Sequence, residues 1–539
     1  MHPEGIRRRP LFVVLALLLL AALFTGASAS AGLSPGAALH EYQKTVLDPQ
    51  GADGVKVQPH VHTPGMSMLG MDMSAAAVAL PAATGGQWNY DVPFTNNFNG
   101  IHVVSSPNSH KVLVVAGSGN NPDNFAAGSF RSIVWDTATN ERREVVTPKD
   151  LFCSGHTLLP DGRALVVGGT AQYGNFQGTK TMYAFNFDTE TYERLPDMAV
   201  GRWYPSVING PDGHSLIVSG LDETGHVTTT TEVFDYNTNL TSVVPAPREF
   251  PLYPHIFLTS SGKYFYDGVP GGPQPGFWQP FNGNAYKPVN GLAVPGNRQA
   301  AASCFVGDVR NQNLMVMGGG WPGTTSTSII KLNAAAPAFR DGPPLREGKG
   351  YVSCVTMPDG TLFEANGGSQ NLVGSASTEA ALLKNVSGQW TPMNPLPAGE
   401  HRLYHSQLFL RDDACVASMS SNPNDGPIST SLLIWCPPYS FKGTRPTIDV
   451  VPTQMSNGAV YDVQTTASAG ATVPRITLTA ADSPTHSTNV NQRYLSMPLT
   501  NGHITIPVSH NILPPGWYRM WAVDSAGRVS VATWVHLNG

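Results

Sequence analysis

The stretch Arg402-Leu403-Tyr404-His405-Ser406 puts a phenol and an imidazole on consecutive residues. On a regular strand, neighbouring side chains point to opposite faces. Both reach one point only where the backbone is irregular, as at a strand mouth. Tyrosine oxygen with histidine nitrogen suits a redox metal better than magnesium or calcium. Adjacent aromatics are also ordinary packing, so the weight of the pair rests on what shares its register elsewhere in the chain.

That register comes from a repeat. Beginning near residue 86, a polar or glycine-bearing turn is followed by a short apolar strand and then by small residues. The copies are His110–Val115, Asp161–Val167, Asp212–Val218, Ser261–Tyr266, Asn313–Met317, Asp359–Phe363 and Asp412–Val416. Their spacing of about 50 residues is the kelch period. A turn at this place joins two antiparallel strands of a blade. Repetition around an axis disposes of exposed sheet edges. The expectation is an all-β chain, a seven-bladed kelch-type β-propeller over 86–442. After it the period stops and alternating strands begin at Ile476, Ile504, Trp517 and Val529. They predict an immunoglobulin-like β-sandwich over 443–539.

Cys153, Tyr204 and Tyr404 each lie eight residues before a turn aspartate, respectively Asp161, Asp212 and Asp412. Equivalent positions on equivalent strands fall on one ring about a propeller axis. A thiol and two phenols from three blades should therefore converge at one end of the channel. Tyr253 and Tyr351 share the register and are expected to stand behind them. A cysteine close to a tyrosine and a copper ion can bond its sulfur to the ring, which makes the phenol easier to oxidise to a radical. Such a thioether would account for the odd count of five cysteines in an oxidising compartment. Of the other four, Cys415 and Cys436 fall on neighbouring strands of the last blade. Cys304 and Cys354 occupy similar positions in adjacent blades and are either a pair or buried thiols.

Composition fits this frame. Glycine and proline number 55 and 45, and only 13% of residues are charged, which favours short strands and turns. A net charge of −5 offers no basic field for nucleic acid. Arg7, Arg8 and Arg9 precede an apolar run from Leu11 to Phe24 and the small residues Ala27-Ser28-Ala29. Residues 1–30 thus read as an export signal, giving a secreted or cell-envelope protein, with an uncleaved membrane anchor as the alternative. Residues 31–85 read as a flexible linker. Within it, His60, His62, Met66, Met68, Met71 and Met73 offer imidazole and thioether donors that select copper. They are either a copper-collecting arm or a compositional accident. No dinucleotide fingerprint, phosphate loop or Gly-x-Ser-x-Gly elbow is present. His156, His255 and His401 are expected to be ordinary strand histidines, with His156 the nearest to a supporting role.

From about residue 86 to its end the chain resembles the copper radical oxidases of the galactose oxidase and glyoxal oxidase family. The likeness is carried by Phe152-Cys153-Ser154-Gly155, by Arg202-Trp203-Tyr204, by Tyr404-His405, and by Thr485-His486 followed by Asn489 and Asn491-Gln492-Arg493. It implies one copper ion held by Tyr204, Tyr404, His405 and His486, with Tyr404 axial. It also implies a Cys153–Tyr204 thioether radical as the second one-electron acceptor. Tyr404 would take the substrate's hydroxyl proton, Tyr204 would remove hydrogen from the substrate carbon, and dioxygen would leave as hydrogen peroxide. The Arg-Trp-Tyr context resembles glyoxal oxidases more than galactose oxidase, so small aldehydes or primary alcohols are the expected substrates of an expected monomer. The chain departs from the pattern in two respects. Ser219-Gly220-Leu221-Asp222 lacks the tryptophan that stacks on the cross-linked tyrosine in galactose oxidase, and the sugar-binding N-terminal domain of that enzyme has no counterpart. Trp203 or another residue would have to shield the radical. Two rival readings are a non-enzymatic kelch binding scaffold and a plain mononuclear metal site without a radical, to which Asp222 in place of the tryptophan lends support.

Overall fold

A computed structural model describes residues 79–272 and 274–539. The predicted signal segment and the histidine- and methionine-rich arm lie outside the described residues. Residues 82–85 form a single helical turn. Asn394 ties the approach to it, accepting from Leu80 N at 2.7 Å and donating to Leu80 O at 2.9 Å, so the end of the predicted linker docks on the propeller.

The apolar runs of the repeat cannot hide both faces of a strand unless sheets pack on either side. They become the second strands of seven four-stranded antiparallel sheets. Ala164–Val167, Ser215–Val218 and Leu362–Ala365 are buried along their whole length, which is why they read as continuous rather than alternating apolar runs. The outermost strands, such as Thr191–Leu195 and Leu240–Pro245, are mostly exposed. The seventh sheet is composite. Gln407–Leu410, Val416–Ser421 and Ser429–Cys436 come from its own stretch, and Gln87–Asp91 returns from the start of the described chain. That strand pairs antiparallel with Ser429–Cys436, Trp88 opposite Trp435, and so joins the two ends of the propeller. Both cysteine pairs are bonded. Cys415–Cys436 crosses the seventh sheet and Cys304–Cys354 links the fifth to the sixth.

The C-terminal domain is built on a five-stranded sheet in the order Gln454–Ser456, Thr533–Asn538, Gly516–Val523, Arg475–Ala480, Tyr494–Pro498. Two small two-stranded sheets face it. The final strand starts at Thr533, not at Val529 as the pattern suggests. Val529 and Ser530 still bridge to Val523 and Ala522, but their carbonyls accept from Arg445 and Ala532 N donates to Asp412 O at 2.8 Å, so the regular ladder begins only at Thr533. Met455, Ile476, Leu478, Leu495 and Met520 of this domain form one apolar cluster with Phe305 and Leu314 of the fifth sheet and Val309 of the turn between them. The domains therefore share a core, and each Leu or Ile in it contributes roughly 1.5–3 kcal/mol by leaving water.

Candidate metal centre

Just ahead of each innermost strand lies a residue on a common ring. In six of the seven sheets it has a left-handed backbone: Cys153 (φ 60°), Tyr204 (66°), Tyr253 (45°), Ala300 (54°), Tyr351 (56°) and His405 (64°). For an L-residue this costs about 1–2 kcal/mol, so something must hold it. Part of the answer is a run of hydrogen bonds around the ring, each amide donating to the ring carbonyl one sheet earlier. Tyr204 N reaches Cys153 O, Tyr253 N reaches Tyr204 O and Tyr351 N reaches Ala300 O, all at 2.8 Å.

The ring corrects the register count. Asp161 lies three residues past Leu158, the end of its inner strand; the equivalent residue past Leu410 is Asp413, not Asp412. His405, rather than Tyr404, therefore matches Cys153 and Tyr204. The left-handed turn at His405 supplies the irregularity that lets consecutive side chains meet. The Tyr404 and His405 rings stack at 3.8 Å. Asn371 and Asn422 clamp this step: Tyr404 N donates to Asn371 Oδ1 at 3.2 Å, and Asn422 N donates to Tyr404 O at 2.7 Å.

Four of these loops carry a buried cation two or three residues before the ring position: Arg202, Arg298, Lys349 and Arg402, all 0% exposed. Arg202 donates to Ser219 O at 2.7 Å, Thr230 O at 3.0 Å and Glu232 at 3.1 Å. Lys349 sits between Glu364 and Glu379, at 2.9 and 2.6 Å. Each latch ties the loop to its own sheet. The glycines after the second strands leave room for the loop to pass. At Gly168 (φ 72°) a Cβ would lie 2.1 Å from Arg202 O, and at Gly367 (φ 90°) 2.4 Å from Gly350 O, so no side chain is tolerated at either.

His486 arrives from the other domain, on the segment 482–493. That segment makes hydrogen bonds to all seven sheets or their lead-in residues. Thr485 Oγ1 donates to Ile101 O at 3.1 Å. Asn491 bonds Thr157 Oγ1 at 3.0 Å and Asn209 N at 3.0 Å. Arg493 donates to Leu258 O at 3.2 Å, and Gln492 reaches Cys304 Sγ at 3.5 Å and Thr356 N at 3.0 Å. Asp482 accepts from Leu410 N at 3.3 Å. Asn489 holds Asp482 from within the loop at 3.0 Å.

All five residues singled out in the sequence meet at one buried point. Tyr204 and Tyr404 join hydroxyl to hydroxyl. His486 Nε2 is 3.1 Å from Tyr204 Oη and 3.9 Å from Cys153 Sγ. The donor atoms of Cys153, His405 and His486 all lie within 4.8 Å of one another. Burial pulls the His405 imidazole down to about 3. Burial, with His405, His102 and His156 nearby, holds His486 well below its usual range. Both are neutral near pH 7 and keep a lone pair for a metal. His405 Nε2 is buried with no hydrogen-bond partner among the described residues. Two neutral imidazoles and two phenols around an unsatisfied nitrogen fit a copper ion better than a hard cation.

Trp203 supplies the aromatic cover. Its ring lies 3.9 Å from that of Tyr204, tilted by 38°, and Phe176 stacks on it at 4.3 Å. Tyr253 packs on Tyr204 at 4.4 Å and on His486 at 4.6 Å. Asp222 takes no part. Its carboxylate accepts from Thr224 N and His226 N in a surface turn. His401 bonds Ser421 Oγ at 2.9 Å away from the centre, and His255 bonds Ser303 Oγ at 3.1 Å. His156 stands edge-on to His102 at 5.0 Å. His102 was not evident from the sequence. It bonds Thr485 Oγ1 at 2.9 Å, the same oxygen that lies 2.6 Å from His486 Nδ1, and so braces the second imidazole. Its signal was its place two residues after Gly100, the ring position of the first sheet. A cavity of about 20 Å³ between Tyr204, Tyr404, Tyr253, Tyr351, Val269 and Ala301 adjoins the centre.

Residues 445–537 match the family model for the galactose oxidase-like early set domain. A WSC domain-containing protein of Arthroderma benhamiae is 24% identical over 74% of this chain; the chain spans about half, 47%, of that relative's length. The aldehyde oxidase GLOX of Vitis pseudoreticulata is 26% identical over 75% of this chain and 85% of its own. The galactose oxidase of Gibberella zeae is 22% identical over 86% and 72%. Among solved structures, a fungal alcohol oxidase of the AA5 family in complex with copper superposes with a TM-score of 0.73 at 20% identity, covering 85% of this chain and all of that one.

Proposed function

We propose, on the premise that this chain is galactose oxidase- and glyoxal oxidase-like from propeller to sandwich, that it is a copper radical oxidase of small aldehydes or primary alcohols. The observation that carries the proposal is the convergence of two phenols, two imidazoles and one thiol at a single buried point. Tyr204, Tyr404, His405 and His486 would hold the ion. Bound there, copper would supply a Lewis acid and one of the two one-electron acceptors that the reaction needs. The chain itself supplies the other, the Tyr204 phenol joined to Cys153 through a thioether. Forming that C–S bond removes two hydrogen atoms, which dioxygen takes up. With copper bound, Tyr404 as a phenolate would accept the hydroxyl proton of the alcohol, or of the aldehyde's hydrate, as general base. The Tyr204 radical takes a hydrogen atom from the substrate carbon. The two electrons and two protons leave on dioxygen as hydrogen peroxide. Trp203 and Phe176 exclude water from the radical. The Arg202-Trp203-Tyr204 context, which resembles glyoxal oxidases, supports a small substrate over a sugar. The apolar leader supports export to the envelope or outside the cell, and His60, His62, Met66, Met68, Met71 and Met73 are proposed to deliver copper.

The test is peptide mass spectrometry on copper-treated mature protein. The Cys153 and Tyr204 peptides should be joined and lighter by two hydrogen atoms. Separate peptides with copper bound would leave a plain metal site. Separate peptides without copper would leave a kelch scaffold.

A further inference from the structure

His405 presents its two nitrogens to different surroundings. Nε2 is buried, with no hydrogen-bond partner among the described residues. Nδ1 lies 3.3 Å from Asn422 Oδ1, and that same oxygen accepts from Asn120 Nδ2 at 3.0 Å. We infer that Asn422, steadied by Asn120, is the positioning residue that fixes the tautomer and aim of His405; the inference rests on the copper reading above. An amide oxygen has two lone pairs. One takes the Asn120 N–H, and the other faces the imidazole. His405 must then carry its proton on Nδ1, which leaves the Nε2 lone pair for the metal. A flipped Asn422 amide would present N–H to Nδ1 instead. The ring proton would move to Nε2, and the donor would be lost.

The device is rigid where it meets His405. Asn422 N is bonded to Tyr404 O, and Asn422 O accepts from Asn371 Nδ2 at 3.3 Å. The amide is thus carried by the same clamp that shapes the Tyr404-His405 step. Asn120 is not part of that clamp. It sits at φ 63° between the strand Lys111–Gly117 and the short helix Pro122–Ala126. Contact between Asn120 and Asn422 therefore runs from the first sheet to the seventh, across the place where the propeller closes. Partners of this kind, bonded to the far nitrogen of a metal-binding histidine, typically change affinity 10–100-fold when removed.

Three variants test the inference in the full-length protein: Asn422→Leu, Asn422→Asp and Asn120→Gly. Copper(II) affinity is measured against a competing chelator, and the copper EPR spectrum is recorded with thermal melts. Wild type should bind one copper with nitrogen hyperfine structure. Asn422→Leu should lose affinity by about 10–100-fold and lose the coupling of one imidazole. Asn422→Asp, whose carboxylate still accepts from Nδ1–H, should recover both. Asn120→Gly, which keeps the left-handed backbone without strain, should show a smaller loss and a heterogeneous spectrum. A folded Asn422→Leu with wild-type affinity and spectrum would overturn the inference. So would an Asn422→Asp variant as impaired as Asn422→Leu. Should Asn422→Leu not fold, an unchanged Asn120→Gly spectrum decides against it. Wild-type protein that binds no copper overturns the copper reading itself, a result distinct from any of these.

Discussion

Asp150 stands three residues before Cys153 and is 2% exposed. Its Oδ1 accepts from Ser118 N at 2.7 Å and Phe152 N at 3.1 Å, so it anchors the turn that delivers the thiol. Burial raises its carboxyl from the ordinary 3.8 to about 6, against the opposing pull of those two amides. In the folded protein the acid is neutral below about pH 6, whereas in the unfolded chain it ionises near 4. Folding therefore takes up a proton between these values, and stability falls as pH rises through that window. At about 1.36 kcal/mol per unit, the loss is on the order of 3 kcal/mol and is complete above pH 6. Asn at this position imitates the neutral acid and keeps the accepting oxygen. Asp150→Asn should match wild type near pH 4 and exceed it by up to about 3 kcal/mol at pH 7. Guanidinium unfolding at half-unit intervals from pH 4 to 7.5 measures the difference, and other titrating groups cancel in it. A difference that does not vary with pH, or a variant less stable at pH 7, would refute the reasoning.

Two further outcomes are expected. Glu232→Gln leaves the buried Arg202 guanidinium without its carboxylate and should cost about 3–5 kcal/mol in urea unfolding; the double change Arg202→Met with Glu232→Leu should recover much of it, and a single variant within ~1 kcal/mol of wild type would show the latch to be dispensable. Trp203→Phe keeps an aromatic filler but removes the indole over Tyr204. Copper content should be unchanged while the oxidised protein's phenoxyl absorption decays several-fold faster, and an equal lifetime would mean that Trp203 does not shield the ring.

Most of the architecture was legible in the repeat, because a strand buried on both faces must be apolar throughout and its turn must be polar. The positions of Cys153, Tyr204, Tyr253 and Tyr351 followed from counting back from that turn. The count slipped by one at the seventh copy, where Asp412 and Asp413 stand side by side and either could be taken as the turn residue. The slip left the Tyr404-His405 pair intact but hid the equivalence of His405 with Tyr204. Asn120, Asn371 and Asn422 were invisible, since nothing in their spacing marks them and their role comes from three-dimensional closure. The buried cations did leave a mark, a Lys or Arg two residues ahead of Tyr204, Ala300, Tyr351 and Tyr404. It went unread because charge inside a core is not expected until its carbonyl partners are seen.

The segment that carries His486 touches every sheet of the propeller. This limits how such a protein can change. Loops around the mouth face solvent on one side and can vary in length and composition without disturbing the axis. The segment 482–493 cannot, because its hydrogen bonds together reach all seven sheets or their lead-in residues, and a shift that suits one breaks the others. Recombination near residue 443 between distant relatives would bring together a segment and a channel selected apart. Sequence diversity should then accumulate at the mouth, while His486 and the interdomain key that carries it change only together.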